Sequence, residues 1–217
     1  MTMQFPWIYG TTAMAISYLC GSIPSSVWWG KAFYGIDVRE HGSHNAGATN
    51  TFRVLGPKAG VPVLLIDVLK GFLPVRLLPF WSGLEPYSDA WTLLRVLLVL
   101  AAVAGHLYPV FAGFRGGKGI ATSLGGVLAI HPGSAMLCIL VFFVVFGITR
   151  YVSLASLTAA VAFPLAVAVV FAEPSQVMRW FALVLCGVVF FTHRQNIARL
   201  LKGKENRMTL GGPMKRT

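Results

Sequence analysis

Long apolar runs constrain this chain more than any other feature. A helix needs about 20 apolar residues to cross a bilayer, and runs near that length recur from end to end. The first extends from Trp7 to Gly30 and is interrupted by Gly21-Ser22-Ile23-Pro24. The second, Lys58 to Phe80, carries Asp67 and Lys70 in its interior. Trp91–Val110, Ile120–Ile130, Ser134–Ile148, Val152–Ala172 and Val177–Thr192 make seven in all. The fourth and fifth are short and are separated by the turn His131-Pro132-Gly133, so two spans or one kinked span are both open. Only 12% of the 217 residues are charged and 56% are hydrophobic, with mean hydropathy +0.70. A soluble domain carries roughly 25% charge. The expectation is one all-α integral membrane domain over 1–217, a seven-helix bundle. The first run lacks a basic leader and an Ala-x-Ala site, so it reads as a retained helix.

Charge gives that bundle a direction. With the amino terminus outside, seven helices bring the carboxyl terminus to the cytoplasm. The inner segments then hold 14 of the 18 Lys and Arg, all but Lys70, Arg76, Arg95 and Arg179, and the outer loops hold none. That asymmetry is the positive-inside pattern. It also explains the net charge of +11 without a nucleic-acid partner, which this hydropathy excludes. Cys20, Cys138 and Cys186 all lie in apolar runs and form neither a metal spacing nor a disulfide framework.

The polar motifs fall on the inner face. Gly113-Phe114-Arg115-Gly116-Gly117-Lys118-Gly119-Ile120-Ala121-Thr122 reads as a phosphate cradle. Gly116, Gly117 and Gly119 let backbone N–H groups approach a bound group, Lys118 adds charge, and a helix begins just after it, with Thr122 in its first turn. It is not a Walker loop, because Gly119 rather than a hydroxyl residue follows the lysine. Loop one offers Ser43, Asn45, Thr49 and Asn50 as hydroxyl and amide donors, then Arg53. Loop five supplies Arg150-Tyr151-Val152-Ser153. The tail opens with His193 and Asn196, three apart, so both can point one way. Asp67 and Lys70 share a helix face and read as a structural ion pair or as a wall of the site. His106 reads as a structural histidine, His131 as a residue of the outer turn without a role, and Asp37 and Glu40 as a solvated face. No carboxylate–histidine set has metal-ligand spacing on the inner face, so neither metal nor cofactor is expected.

Seven motifs in order make the chain resemble the bacterial acyl-phosphate:glycerol-3-phosphate acyltransferase family, over nearly its whole length. They are Gly21-Ser22-Ile23-Pro24, Gly42-Ser43-His44-Asn45-Ala46-Gly47-Ala48-Thr49-Asn50 with Arg53, Asp67-Val68-Leu69-Lys70-Gly71, Gly105-His106-Leu107-Tyr108-Pro109-Val110, the cradle, Arg150 to Ser156, and His193 to Leu201. His44 departs from the pattern, where glycine is frequent in the family. The resemblance implies a multi-pass enzyme of the bacterial inner membrane whose site faces the cytoplasm. It would transfer a fatty acyl group from acyl phosphate to the 1-hydroxyl of glycerol 3-phosphate, the first acylation of phospholipid synthesis. By the same resemblance Ser43, Arg53 and Lys118 hold the phosphate of glycerol 3-phosphate. His193 and Asn196 lie near its hydroxyls, Ser153 lines the site, and the glycines around Lys118 receive the acyl phosphate. Lys118, His193, Asn196 and Ser153 form the implied catalytic set. The implied partners are the two substrates and membrane lipid; nothing specifies an oligomeric state.

Arg194, Arg199 and the cradle charges should lower the basicity of His193. The attacking hydroxyl is therefore expected to lose its proton to a substrate phosphate oxygen. No histidine has Asp five residues on, so the His-x-x-x-x-Asp pair of acyl-CoA-dependent enzymes is absent. The rival class is a transporter of a phosphorylated anion. Transporters bind near the bilayer midplane on broken helices, whereas the polar groups here gather at one face.

Overall fold

Proline and glycine punctuate the apolar runs into helices, and a computed structural model of the protein describes residues 7–208. The first run becomes two helices, α1 (Trp7–Gly21) and α2 (Ser25–Tyr34), because Pro24 has no N–H to continue the ladder. α3 (Ala48–Leu55) and α4 (Pro57–Leu77) follow, with Pro57 at the first helical position. α5 (Asp89–Leu107) stops just before Pro109. α6 (Ile120–Ile130), α7 (Pro132–Thr149), α8 (Val152–Leu165, continued by a π-helical turn Ala166–Val170), α9 (Gln176–Thr192) and α10 (Arg194–Leu201) follow among the described residues. No strand occurs among the described residues.

Three expectations change. Residues 31–57 are not all loop, since α3 forms there. The tail holds α10. The short fourth and fifth runs are two helices rather than one kinked span: His131 ends α6, and its Nδ1 accepts from Ser134 N at 3.1 Å to cap α7, which gives this histidine a structural role the sequence did not suggest.

α5 is the core. Leu94, Leu98 and Val99 are wholly buried, and α1, α4, α6 and α9 pack around it. α7 is the opposite case: it buries only Ser134 and Ala135 and touches α6 and α8, so most of it is left to lipid. α4 and α6 meet backbone to backbone, since a Cβ on Gly125 would stand 1.9 Å from Val68 O and one on Gly71 2.0 Å from Thr122 O. Small residues allow that approach in membranes. Three stretches are long and apolar enough to cross a bilayer alone: Asp89–Ala112, Pro132–Thr149 and Val152–Val170. α9 and α10 make a fourth as a pair bent by 63°. α1 has 15 residues and α6 has 11, and α4, at 21 residues, carries Lys58, Asp67, Lys70 and Arg76.

Candidate functional site

A glycine stop near the end of the chain completes the site. Gly203, at φ 63°, turns the backbone after α10, and Lys204 N donates back to Arg199 O at 2.8 Å. Residues 205–208 then cross the start of α8, where Met208 N donates to Arg150 O at 2.9 Å and Arg207 Nε to the Tyr151 hydroxyl at 3.2 Å. This swing carries Glu205 inward. Its Oε1 accepts from Asn196 Nδ2 at 2.7 Å and from Ser153 Oγ at 2.9 Å, and its Oε2 accepts from Arg199 Nε at 2.7 Å. Asn196 Oδ1, thereby turned the other way, accepts from Lys118 Nζ at 2.5 Å. The bend between α9 and α10 places His193, Asn196 and Arg199 at three-residue intervals along one helix face.

Electrostatics follow from that packing. Burial pushes the Lys118 ammonium down to about 8; Glu205 pulls it up, while Arg199 and Arg53 push it further down. Arg53 is lowered by burial and senses both Glu205 and Arg199, which puts it in the same pocket. Burial pushes the Glu205 carboxyl up, but hydrogen bonds from Asn196, Arg199 and Ser153 outweigh it and leave it below the usual range. His193 is 2% exposed, and its Nδ1 lies 2.9 Å from Val189 O, a group that can only accept. Nδ1 therefore carries the proton and Nε2 keeps the free lone pair. Burial, then the Lys118 charge, push this imidazole down to about 4. The pocket thus joins three cations to one carboxylate, around a neutral histidine.

The other sequence-derived residues divide. Loop one is a rigid turn. Both amide donors of Asn50 are taken, by Val38 O at 2.8 Å and His41 O at 3.0 Å, and its Oδ1 accepts from Ser43 N at 2.8 Å. Asn50 thus shapes the loop. Ser43 is exposed, and Asn45 and Thr49 are half-buried beside it. Asp37 is no solvated residue: it is buried and pairs with Arg39 at 2.7 Å, which holds its carboxyl far below the usual range. Arg39 in turn donates to Ala112 O at 2.9 Å and ties loop one to the glycine loop.

Gly116 and Gly117 are packed, not open. A Cβ on Gly116 would stand 2.0 Å from His106 O, and one on Gly117 2.2 Å from His106 Nε2. Gly119 caps α6 at φ 79°. Thr122 is fully buried, with its hydroxyl 3.2 Å from His106 Nδ1. His44 takes φ 57°, the left-handed region that suits glycine, so the loop keeps its shape.

Deeper in the bundle lies a second polar cluster. Asp67 Oδ1 meets Lys70 Nζ at 2.8 Å and accepts from Ser25 Oγ at 2.6 Å. Lys70 also donates to Ile23 O at 2.8 Å, a carbonyl freed where α1 breaks from α2. His106 stands 3.7 Å from the same Asp67 oxygen.

Sequence reasoning missed Glu205. A signal existed: it is the sole acidic residue after Glu173, in an otherwise basic tail. Among the described residues no three His, Cys, Asp or Glu side chains gather as a metal site would require.

A profile of the glycerol-3-phosphate acyltransferase family matches residues 11–203. The chain is 43% identical over 194 residues to the glycerol-3-phosphate acyltransferase of Fusobacterium nucleatum subsp. nucleatum, covering 89% of this chain and 95% of that one. It is 43% identical over 213 residues to the enzyme of the same name from Salinibacter ruber, covering 92% of each. Among solved structures it is similar to PlsY (YgiH), an integral membrane glycerol 3-phosphate acyltransferase. The glycerol 3-phosphate form matches with TM-score 0.80 at 40% identity, over 92% of this chain and 96% of that one. The lysophosphatidic acid form matches with TM-score 0.79 at 39% identity, over 93% and 96%. With its helical bundle and its cation-rich pocket, this integral membrane protein belongs to the glycerol-3-phosphate acyltransferase family.

Proposed function

We propose that the pocket transfers a fatty acyl group from acyl phosphate to the 1-hydroxyl of glycerol 3-phosphate, releasing 1-acyl-glycerol 3-phosphate and inorganic phosphate. The observation that carries this reading is the surplus of half-buried cations, Lys118, Arg53 and Arg199, around a histidine with little basicity. Such a site suits anionic substrates that already carry their own leaving group. The hydroxyl oxygen attacks the acyl carbonyl, the bond from carbonyl carbon to phosphate oxygen breaks, and phosphate leaves with the electron pair. The hydroxyl proton goes to a phosphate oxygen, whose second pKa is about 6. No covalent enzyme intermediate is needed. The rate comes from orientation and from fixed charge facing the developing oxyanion and phosphate.

In this reading Lys118 and Arg53 hold phosphate, together with Ser43 at the exposed rim. The Nε2 lone pair of His193 and the Asn196 amide orient the glycerol hydroxyls. Ser153 and Glu205 brace Asn196. Gly116, Gly117 and Gly119 bring the backbone of the acyl-phosphate site into place, and Asn45 and Thr49 line its edge. The chain crosses the bacterial inner membrane seven times, through α1 and α4 to α9, with its amino terminus outside. The site then opens to the cytoplasm. The basic-residue asymmetry supports that orientation.

Purified protein in lipid nanodiscs, given acyl phosphate and glycerol 3-phosphate, should release phosphate and 1-acyl-glycerol 3-phosphate in equal amounts. Turnover with acyl-CoA as fast as with acyl phosphate would refute the donor. Cysteine-accessibility labelling should place residues 193–208 and loop one on the cytoplasmic side, with the His131 turn opposite.

A further inference from the structure

Lys118 serves the reaction only if its ammonium points at phosphate, yet residues 115–119 have no regular secondary structure to fix its direction. What lies beneath them is His106. This residue is 5% exposed, sits in the last turn of α5, and belongs to none of the substrate-facing groups above. Gly117 N donates to its carbonyl at 3.1 Å, and its imidazole edge occupies the space a side chain at 117 would need. On the far side the ring is held by the Thr122 hydroxyl at 3.2 Å and faces Asp67 at 3.7 Å. Lys70 locks Asp67 in turn.

We propose that His106, anchored by Asp67 and Thr122, is a positioning residue that sets the direction of Lys118 from a place no substrate reaches. Three helices then agree on the loop: α4 through Asp67, α5 through His106 and α6 through Thr122. The sequence pattern fits this division. The glycine at 117 is small because an imidazole lies against it, rather than to admit a ligand. A buried ion pair is a poor stabiliser compared with apolar residues of the same size. Fixing an imidazole gives Asp67 and Lys70 a use that packing alone does not supply.

The inference rests on the function proposed above, and its test separates the two. If wild-type protein neither binds glycerol 3-phosphate nor turns over, the parent reading fails. If wild-type protein works, His106→Ala and His106→Gln decide the inference. Both should raise KM for glycerol 3-phosphate about tenfold or more, since a displacement near 1 Å can cost about a hundredfold in a catalytic site. A positional role also moves a titration. The alkaline limb of kcat/KM reports Lys118, which faces Glu205, Arg199, Arg53 and His193. A displaced Lys118 escapes the burial that lowers it, so the limb should rise from near 8 toward the ordinary lysine range in His106→Ala. Loss of fold stability alone would reduce active protein and leave the limb in place. Gly117→Ala should give the same phenotype, and its combination with His106→Ala should be less than additive, because both disturb one contact. Should His106→Ala fail to fold, Thr122→Val, which removes the hydroxyl holding the ring, carries the same measurements. Unchanged KM and an unmoved limb in the folded variants, or additive effects, overturn the proposal.

Discussion

Two polar clusters share this bundle, and they are built on opposite rules. The inner one is charge-balanced. Asp67 and Lys70 pair at 2.8 Å, and Ser25 and a helix-break carbonyl complete their hydrogen bonds. The outer one sets Lys118, Arg53 and Arg199 against Glu205 alone. A balanced cluster leaves no net charge for a ligand to meet and acts only through the groups it holds in place. An unbalanced one keeps a charge deficit that a dianionic ligand can fill. Surplus charge, rather than polarity as such, separates machinery from scaffold in this membrane protein.

The sharpest way to break the comparison is to remove the surplus. Lys118→Ala and Arg53→Ala should each lower kcat/KM by about a thousandfold, the scale of losing a preorganised charge contact, while folding stays intact by detergent size exclusion. If both retain near wild-type turnover, the outer cluster is not the phosphate site.

The scaffold should answer differently. Asp67→Leu leaves Lys70 buried without its counter-charge, with only the Ile23 carbonyl to bond, and should cost about 3–5 kcal/mol of stability, whereas Asp67→Leu/Lys70→Leu should cost much less. Thermal unfolding in one detergent reads this. A double variant no better than the single would mean the pair does more than balance itself.

A third test concerns protons. kcat/KM should fall above pH 8, because Lys118 loses its charge as pH rises through about 8. In kcat that limb should lie higher, since bound phosphate stabilises the ammonium. His193, held at about 4, does not titrate between pH 6 and 9. His193→Asn should therefore keep both limbs and lose about tenfold in rate or less, within the range of one hydrogen bond between neutral groups. A variant as inactive as Lys118→Ala, with normal glycerol 3-phosphate binding, would make His193 the general base.

The smallest effect is expected in loop one. His44 holds a left-handed backbone at φ 57°. His44→Gly should stabilise the protein by about 0.5–1 kcal/mol, the strain removed less the chain entropy that glycine adds. Its activity should stay unchanged.

These contrasts also mark how far the residues spoke for themselves. Helix positions were legible because a break needs only Pro24, Pro109 or the His131-Pro132 turn, all local signals. The spacing of His193 and Asn196 was legible for the same reason, since three residues put two side chains on one face. Hydropathy alone did not tell α5 from α7, because both are apolar and burial depends on which helices surround them. Glu205 needed the turn at Gly203 and the tail's return to Tyr151, a fact of tertiary structure. The sequence also did not show that Asn50 bonds loop one and that Thr122 engages His106. Asp37 looked solvated because nothing in its neighbourhood announces that Arg39 folds over it.

The brevity of α6 has a consequence of its own. Its 11 residues rise about 16 Å, roughly half the ~30 Å hydrocarbon thickness. In the topology proposed above, the irregular backbone of 113–119 would carry the chain from α6 to the membrane surface, its exposed Gly113, Phe114 and Arg115 lying toward water. The acyl-phosphate donor proposed above would already be concentrated by partition into the leaflet. A loop at the membrane surface would meet that donor's phosphate without pulling its chain into water. Encounter then becomes a search in two dimensions, governed by the amount of donor per unit of membrane rather than per volume of cytosol, and only the small polar acceptor has to arrive from solution.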